Sequence, residues 1–177
     1  MSRRSGAAPL SRREVLVAGA ALATWPLVGR TETAAPASSL RSALETAEFA
    51  YISPRKSDGG ESTCHGEVWY GWLDGAVVII TSTESWKARA LARGLDRARI
   101  WAGDHGRWKG LIFHNEDFRR APSFEAKASI VRDATLLDRL LAVYETKYPA
   151  EIADWRDRMR GGYADGSRVL IRYAPVE

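Results

Sequence analysis

The chain has 177 residues, a formal net charge of +4, one cysteine and three histidines. This length fits one domain with a short appendage, and a single cysteine excludes an intrachain disulfide framework and any multi-cysteine metal site. The 45% hydrophobic content and seven tryptophans argue against a disordered chain. Three of the four excess positive charges lie within residues 1–37, so the rest of the chain is nearly neutral. A nucleic-acid-binding protein concentrates basic residues on one face, and we therefore expect no nucleic-acid partner.

Residues 1–37 have the features of an export signal. The pair Arg12-Arg13 precedes an uncharged run over residues 15–29, which is short for a membrane span of about 20 residues but typical of a signal peptide. Small residues at 35–37 offer a cleavage site after Ala37. The arginine pair resembles a twin-arginine (Tat) signal, with an ordinary Sec signal or an uncleaved anchor as alternatives. We therefore predict a Tat signal peptide that directs the chain, through the Tat export machinery, to a periplasmic or extracellular location.

The mature domain, residues 38–177, alternates between strand and helix patterns. Runs of apolar, β-branched and aromatic residues predict strands. Asp74-Gly75 predicts a two-residue hairpin turn, and the polar stretch over residues 55–63 predicts a loop. The predicted strands are residues 50–53, 67–73, 76–81, 99–102, 108–114, 124–131 and 169–173.

Apolar residues at helical spacing predict four helices between these strands. The first covers residues 40–49, and the second is capped by Ser82 or Thr83 and ends near Gly94. The third is capped by Asp133, carries a leucine-rich face and ends before Pro149. The fourth begins at Ile152 and ends at the glycine pair 161–162. About six mainly antiparallel strands with helices between them predict an α+β domain with a small barrel.

The segment over residues 67–100 carries the clearest chemistry. A buried strand leads into a helix start that is rich in hydroxyl groups and is followed by Lys87, Arg89 and Arg93. Helix N-termini expose unpaired N–H groups, so this pattern predicts a phosphate-binding site. The adjacent pair Trp69-Tyr70 predicts a surface on which a planar ring can stack. The alternative interpretation is that the hydroxyls only cap, the basic residues are solvated and the tryptophans belong to the core.

The same segment resembles the pyridoxamine 5′-phosphate oxidase-like superfamily, the flavin-binding split β-barrels. The family run Thr-x-x-x-Ser-x-Lys is matched by Thr81, Ser85 and Lys87. The run that follows, with Arg89 and Arg93, is similar to the reductase branches, including those that use a deazaflavin. The resemblance covers most of residues 40–175.

This resemblance implies an α+β split β-barrel with flanking helices, an oxidoreductase that acts on a small-molecule substrate, and a homodimer with FMN at the subunit interface. A deazaflavin, FAD and haem are alternative cofactors, and a flavin- or haem-binding protein without catalysis is an alternative function. The isoalloxazine ring does the chemistry in such proteins, so we name no catalytic residue. We also expect no metal site. For haem, the candidate ligands are His65, His105 and His114.

The resemblance also implies which residues bind the cofactor. The ring would lie along the strand with Val68, Trp69 and Tyr70, and the phosphate would lie near Thr81, Ser82, Ser85, Trp86, Lys87 and Arg89. Two positions depart from the oxidase pattern, because Gly66 and Trp86 stand where the oxidase has arginines. Arg89 is the candidate to replace the missing charge.

Overall fold

The computed structural model describes residues 37–107 and 115–176, all within the structural unit Thr33–Glu177. The predicted signal peptide, apart from Ala37, and the strand predicted over residues 108–114 lie outside the described residues. Both stay predictions. So does the boundary between the signal peptide and the mature domain.

The described strands form one sheet in which every neighbouring pair is antiparallel. Its spatial order is β2-β1-β5-β6-β7-β4-β3. The seven strands are β1 Phe49–Pro54, β2 Gly66–Val68, β3 Gly71–Leu73, β4 Ala76–Ser82, β5 Arg97–Gly103, β6 Ser123–Val131 and β7 Arg168–Pro175.

The two edges of this sheet are joined by a link of only two residues, which forces the sheet to curl. The edge strands β2 and β3 are separated in the chain by Trp69 and Tyr70 alone. Such a link spans at most about 11 Å, whereas the edges of a flat seven-stranded sheet would be roughly 29 Å apart. The sheet therefore closes on itself, and the predicted class, an α+β antiparallel split barrel with flanking helices, is confirmed.

The prediction of one continuous strand over residues 67–73 is wrong. β2 pairs with β1 and β3 pairs with β4, so the chain leaves one edge and joins the other between them. The backbone groups freed by this break are taken up by two tyrosines. The Tyr144 hydroxyl donates to the Trp69 carbonyl at 2.9 Å, and the Tyr70 N–H donates to the Tyr148 hydroxyl at 3.3 Å.

The hairpin and the strand after it follow the prediction. Asp74 and Gly75 both have positive φ, 50° and 68°, as a two-residue turn of type I′ requires. β4 is buried on both faces: Val77 and Ile79 join the barrel core, while Val78 and Ile80 join a second cluster with the helices. The β4 apolar run therefore connects the two cores.

Four α-helices flank the sheet in the described residues: α1 Ala37–Thr46, α2 Trp86–Ala92, α3 Ala134–Lys147 and α4 Ile152–Ala164. A short 3₁₀ helix covers Asp117–Arg120. The predicted cap of α3 is confirmed, because the Asp133 carboxylate accepts from the Leu136 N–H at 3.0 Å. α3 buries Leu136, Leu137, Leu140, Leu141 and Tyr144.

Three helix boundaries differ from the predictions. α1 lies three residues nearer the N-terminus than predicted. α2 is capped by Ser85, whose Oγ accepts from the Ala88 N–H, because Ser82 accepts from Glu84 in the preceding turn. α4 continues through the glycine pair, since the chain turns only near Gly166, where φ is +82°.

The C-terminal end of α1 is held by a buried tyrosine. The Tyr70 hydroxyl donates to the Leu44 carbonyl at 2.9 Å and also lies 3.2 Å from the Ala47 carbonyl. Lys147, at the end of α3, places its ammonium 3.7 Å from the centre of the Tyr70 ring and 3.5 Å from the Tyr70 carbonyl. Burial lowers the pKa of Lys147 from 10.5 to about 8, opposed by the charge of Glu48. α1, the link between β2 and β3, and the end of α3 therefore pack as one assembly.

Candidate functional site

A cleft of about 290 Å³, here called the α2 cleft, opens where the ends of β2, β4 and β7 meet three helices. Its apolar and aromatic lining is Val68, Trp69, Ile79, Ile80, Tyr144, Trp155 and Met159. Its polar lining is Thr81, Lys87 and Arg168. A mostly apolar concavity with a few polar groups is the usual form of a small-molecule site.

Four of the nine residues predicted to bind a cofactor line this cleft together: Val68, Trp69, Thr81 and Lys87. They come from three elements, and the closure of the barrel is what brings β2 beside β4 and α2. The other five predicted residues, Tyr70, Ser82, Ser85, Trp86 and Arg89, do not line the cleft. The assignment of all nine to cofactor binding stays a prediction.

Three of those five residues make local or core contacts. Tyr70 is fully buried in the barrel core, with its hydroxyl held by α1. Ser82 and Ser85 use their hydroxyl oxygens to accept backbone N–H bonds within their own turn and helix. Of the predicted phosphate-binding residues, only Thr81 and Lys87 line the cleft.

Trp86 explains why a glycine can stand at position 66. A Cβ atom built on Gly66 would lie 2.9 Å from Cζ2 of the Trp86 ring, so the indole fills the space that a side chain at 66 would need. The two departures from the oxidase pattern are therefore in contact with one another. The Lys87 ammonium lies 4.4 Å from the centre of the same ring.

The basic residues of α2 and of its C-terminal cap, Arg93, divide between two sites. Lys87 lines the α2 cleft, whereas Arg89 and Arg93 line a second groove of about 310 Å³. Trp86 and the exposed Cys64 also line this second groove. Residues two apart on a helix point in different directions, so Arg89 does not accompany Lys87 into the cleft.

The α2 cleft carries two positive groups and no carboxylate in its lining. Burial lowers the pKa of Lys87, and its ammonium has no hydrogen bond or ion pair with any residue that the structure describes. Arg168 likewise has no such partner there, and its guanidinium carbon lies 5.8 Å from the centre of the Trp155 ring. Two partly buried positive groups with no negative charge beside them attract an anion, so the cleft is suited to an anionic ligand.

The aromatic wall of the cleft is held in place by α3 and the residue that follows it. The Trp69 ring stacks on Tyr148 with ring centres 4.5 Å apart and planes 9° from parallel. Tyr144 meets the same ring edge-on at 5.8 Å. These contacts, with the hydrogen bond from Tyr144 to the Trp69 carbonyl, fix an aromatic surface beside the two basic groups.

Sequence reasoning missed six of the lining residues: Ile79, Ile80, Tyr144, Trp155, Met159 and Arg168. Tyr144, Trp155 and Met159 lie where the sequence predicts helices, and the two isoleucines lie in a predicted buried strand, so local patterns mark all five as core residues. Arg168 carries no local signal, because its place in the cleft depends on the pairing of β7 with β4.

The candidate haem ligands lie elsewhere. His65 packs against Phe118 of the 3₁₀ helix, with ring centres 5.7 Å apart, and His105 lies 6.1 Å from Tyr51. His114 is outside the described residues. Within residues 37–107 and 115–176, no three His, Cys, Asp or Glu side chains are grouped so that they could hold a metal ion. None of the helices in these ranges is both long and apolar enough to cross a membrane.

Comparison with known proteins identifies the fold. The chain matches no protein-family model and no curated protein sequence. Among solved structures it is similar to the conserved hypothetical protein Rv2991 of Mycobacterium tuberculosis, with 19% identity, a TM-score of 0.54 and coverage of 84% of this chain and 85% of that one. The heme storage protein HutZ of Vibrio cholerae has 17% identity, a TM-score of 0.51 and coverage of 78% and 88%. An FAD-binding protein of Mesorhizobium loti has 12% identity, a TM-score of 0.51 and coverage of 81% and 91%. At these identities the likeness is one of fold: the chain is an α+β split barrel.

Proposed function

We propose that this chain is an exported flavin-binding oxidoreductase that holds FMN in the α2 cleft. The observation that carries the proposal is the convergence of Trp69, Thr81 and Lys87 on one cleft, where the Lys87 ammonium is partly buried without an acidic partner in the described chain. A flavin mononucleotide has the matching chemistry, a flat aromatic ring joined to a phosphate. Trp69 would lie against the ring, and Thr81 and Lys87 would hold the phosphate.

The size of the cleft supports the proposed homodimer. At about 290 Å³ it lies at the lower end of the range of roughly 300–1,000 Å³ typical of small-molecule sites. A single chain would therefore cover only part of a flavin, and a second copy would cover the rest. Bound flavin would supply the transfer of electrons or hydride to a small-molecule substrate, while this chain binds it, orients it and limits access of water.

Two proteins of this fold carry cofactors in their names, FAD for the M. loti protein and haem for HutZ. The chemistry of the α2 cleft favours the flavin, because its lining contains two basic groups and neither histidine nor cysteine. A deazaflavin or FAD would use the same anion-binding groups. Extraction of the bound cofactor followed by mass spectrometry distinguishes FMN, FAD and a deazaflavin. A Soret band in the visible spectrum would identify haem instead.

The test compares two variants that each remove one positive charge from α2. Lys87→Met changes the cleft, and the matched control Arg89→Met changes only the second groove. We expect the wild-type protein, produced in the cytoplasm, to show flavin absorption bands or to gain them when FMN is added. Losing one charge-assisted contact should weaken FMN binding about 10- to 100-fold in Lys87→Met, with little change in Arg89→Met. Equal affinity in the two variants would refute the site.

Catalysis and export have separate tests. An oxidoreductase should cycle its flavin between reduced and oxidised forms when a donor and an acceptor are both supplied, whereas a binding protein would retain an unreactive flavin. For export we propose the Tat pathway. Changing Arg12 and Arg13 together to lysine should leave the precursor in the cytoplasm, and continued export of that variant would favour a Sec signal.

A further inference from the structure

We propose that Arg168 supplies the second positive charge that binds the anionic group of the ligand in the α2 cleft, the role for which the sequence offered Arg89. The identity of the ligand in this inference rests on the proposed function. The choice of Arg168 as the binding residue rests on the geometry of β7. Arg89 lines the second groove, as Trp86 does, and neither residue lines the α2 cleft. Arg168 lines the cleft itself, together with Thr81 and Lys87.

The sheet brings Arg168 to the phosphate end of the cleft. In the pairing of β4 with β7, Thr81 lies opposite Val169 and Ser82 opposite Arg168, and paired residues on neighbouring strands have Cα atoms about 5 Å apart. Just beyond, the backbone N–H of Thr83 and its hydroxyl both donate to the Ser167 carbonyl, at 2.9 and 3.1 Å. The turn that precedes Arg168 is thus tied to the turn that precedes Lys87.

The Arg168 side chain is held by packing. It forms no ion pair with an acidic residue of the described chain. A Cβ atom built on Gly162 would lie 2.8 Å from both Cγ and Cδ of Arg168, so α4 approaches the arginine stem closely because residue 162 is a glycine. The guanidinium carbon lies 5.8 Å from the centre of the Trp155 ring, a typical cation–π distance. These contacts hold the stem of Arg168 against α4 and place its guanidinium beside the Trp155 ring.

The chemistry of this group matches a phosphate. A guanidinium presents a planar fork of N–H donors that fits two oxygens of a phosphate. Lys87 adds a compact charge and Thr81 a hydroxyl donor. Arg168 thus takes the place of the arginines that are missing at positions 66 and 86. It comes from the last strand, about 80 positions after Lys87 in the chain. We therefore assign the ligand class as an aromatic molecule that carries a phosphate monoester or diphosphate.

The experiment measures binding of FMN and of riboflavin, which lacks the phosphate, by quenching of tryptophan fluorescence in the full chain. Arg168→Gln is compared with Arg158→Gln, because the Arg158 guanidinium carbon lies 5.6 Å from the same Trp155 ring but Arg158 does not line the cleft. Arg89→Gln is a second control. We expect FMN affinity to fall about 10- to 100-fold in Arg168→Gln alone, with riboflavin affinity unchanged in all three variants.

Two results would overturn the inference. If Arg168→Gln binds FMN as tightly as Arg158→Gln does, the guanidinium does not bind the phosphate. If FMN and riboflavin weaken equally in Arg168→Gln, the arginine only shapes the cleft. If Arg168→Gln fails to fold, Arg168→Lys replaces it, because this variant keeps the charge and loses the planar fork of donors. Its affinity for FMN should fall several-fold while its affinity for riboflavin stays the same. Unchanged FMN affinity would contradict the proposal.

Inorganic pyrophosphate separates this inference from the proposed function. If the wild-type chain binds neither FMN nor riboflavin, the flavin proposal fails. Calorimetry with pyrophosphate then decides the role of Arg168. Binding that is lost in Arg168→Gln and kept in Arg158→Gln supports the anion site, while pyrophosphate binding that is absent, or equal in the two variants, refutes it.

Discussion

Lys147 offers a test of how the α3 end and the link between β2 and β3 pack together. Its ammonium is partly buried over the Tyr70 ring, and burial lowers its pKa from 10.5 to about 8. The folded protein therefore releases this proton at a lower pH than the unfolded chain does. Between these two pKa values the unfolded state binds more protons, so the free energy of unfolding should rise with pH.

The size of this effect follows from the two pKa values. Between pH 7 and pH 9.5, linkage with pKa values of about 8 and 10.5 gives at most about 2 kcal/mol. Because the side chain is only partly buried, solvent screening reduces the expected value to about 1 kcal/mol. We therefore expect the stability of the wild-type protein, relative to Lys147→Met, to increase by about 1 kcal/mol over this range.

Urea denaturation followed by tryptophan fluorescence at pH 7, 8, 9 and 9.5 measures this difference. Burial also raises the pKa values of Tyr70 and Tyr148, but their effect is common to both proteins and cancels in the comparison. Lys127→Met, at an exposed lysine of β6, controls for the change in net charge. If the difference in stability between wild type and Lys147→Met does not change with pH, burial does not lower the pKa of Lys147 in the folded protein. Such a result would mean that the Tyr70 ring and carbonyl stabilise the ammonium as much as burial disfavours it.

Two further predictions concern the helix cap and the glycine contact. Asp133→Ala should lower the free energy of unfolding by about 1 kcal/mol, because the Leu136 N–H loses its 3.0 Å acceptor. Asp133→Asn should keep most of that stability, since an amide oxygen can still accept the bond. Urea denaturation of the two variants at neutral pH measures both changes, and equal losses would contradict the capping role. Gly66→Ala should cost about 1–3 kcal/mol through overpacking, because the new Cβ would lie 2.9 Å from the Trp86 ring. In a double-mutant cycle measured by thermal unfolding, Gly66→Ala should cost much less in the Trp86→Leu background than in the wild type. Strictly additive effects would mean that a side chain at position 66 does not clash with the Trp86 ring.

Much of the fold was predictable because it follows from local signals. The Asp74-Gly75 turn, the buried run of β4 and the cap at Asp133 each depend on residues within a few positions of one another. The strand break at Trp69 and Tyr70 was not predictable, because the pattern of residues 67–73 is that of a continuous strand. The break is stabilised by hydroxyl groups of Tyr144 and Tyr148, some 75 residues away in the chain.

The candidate site was predictable in part for the same reason. Lys87 and Thr81 could be placed near one another because a strand that runs directly into a helix keeps them close. Helical spacing separates Arg89 from Lys87, because residues two apart on a helix point in different directions, but which of the two faces the cleft depends on how α2 packs against the sheet. With Ser85 as the cap, the helix turns Lys87 toward the cleft and Arg89 toward the second groove.

Local patterns in the sequence were enough to predict an α+β antiparallel chain, a hairpin that leads into a basic helix, and a group of aromatic, hydroxyl and basic residues near that helix. Those features depend on periodicity, capping and turn chemistry, which act over a few residues. Local patterns could not show that Trp69 and Lys87 line one cleft with Arg168, while Tyr70 and Arg89 do not. That arrangement follows from the closure of the sheet. A two-residue link between its edges forces the sheet to curl into a barrel, and the pairing of β7 with β4 then sets which distant side chains meet.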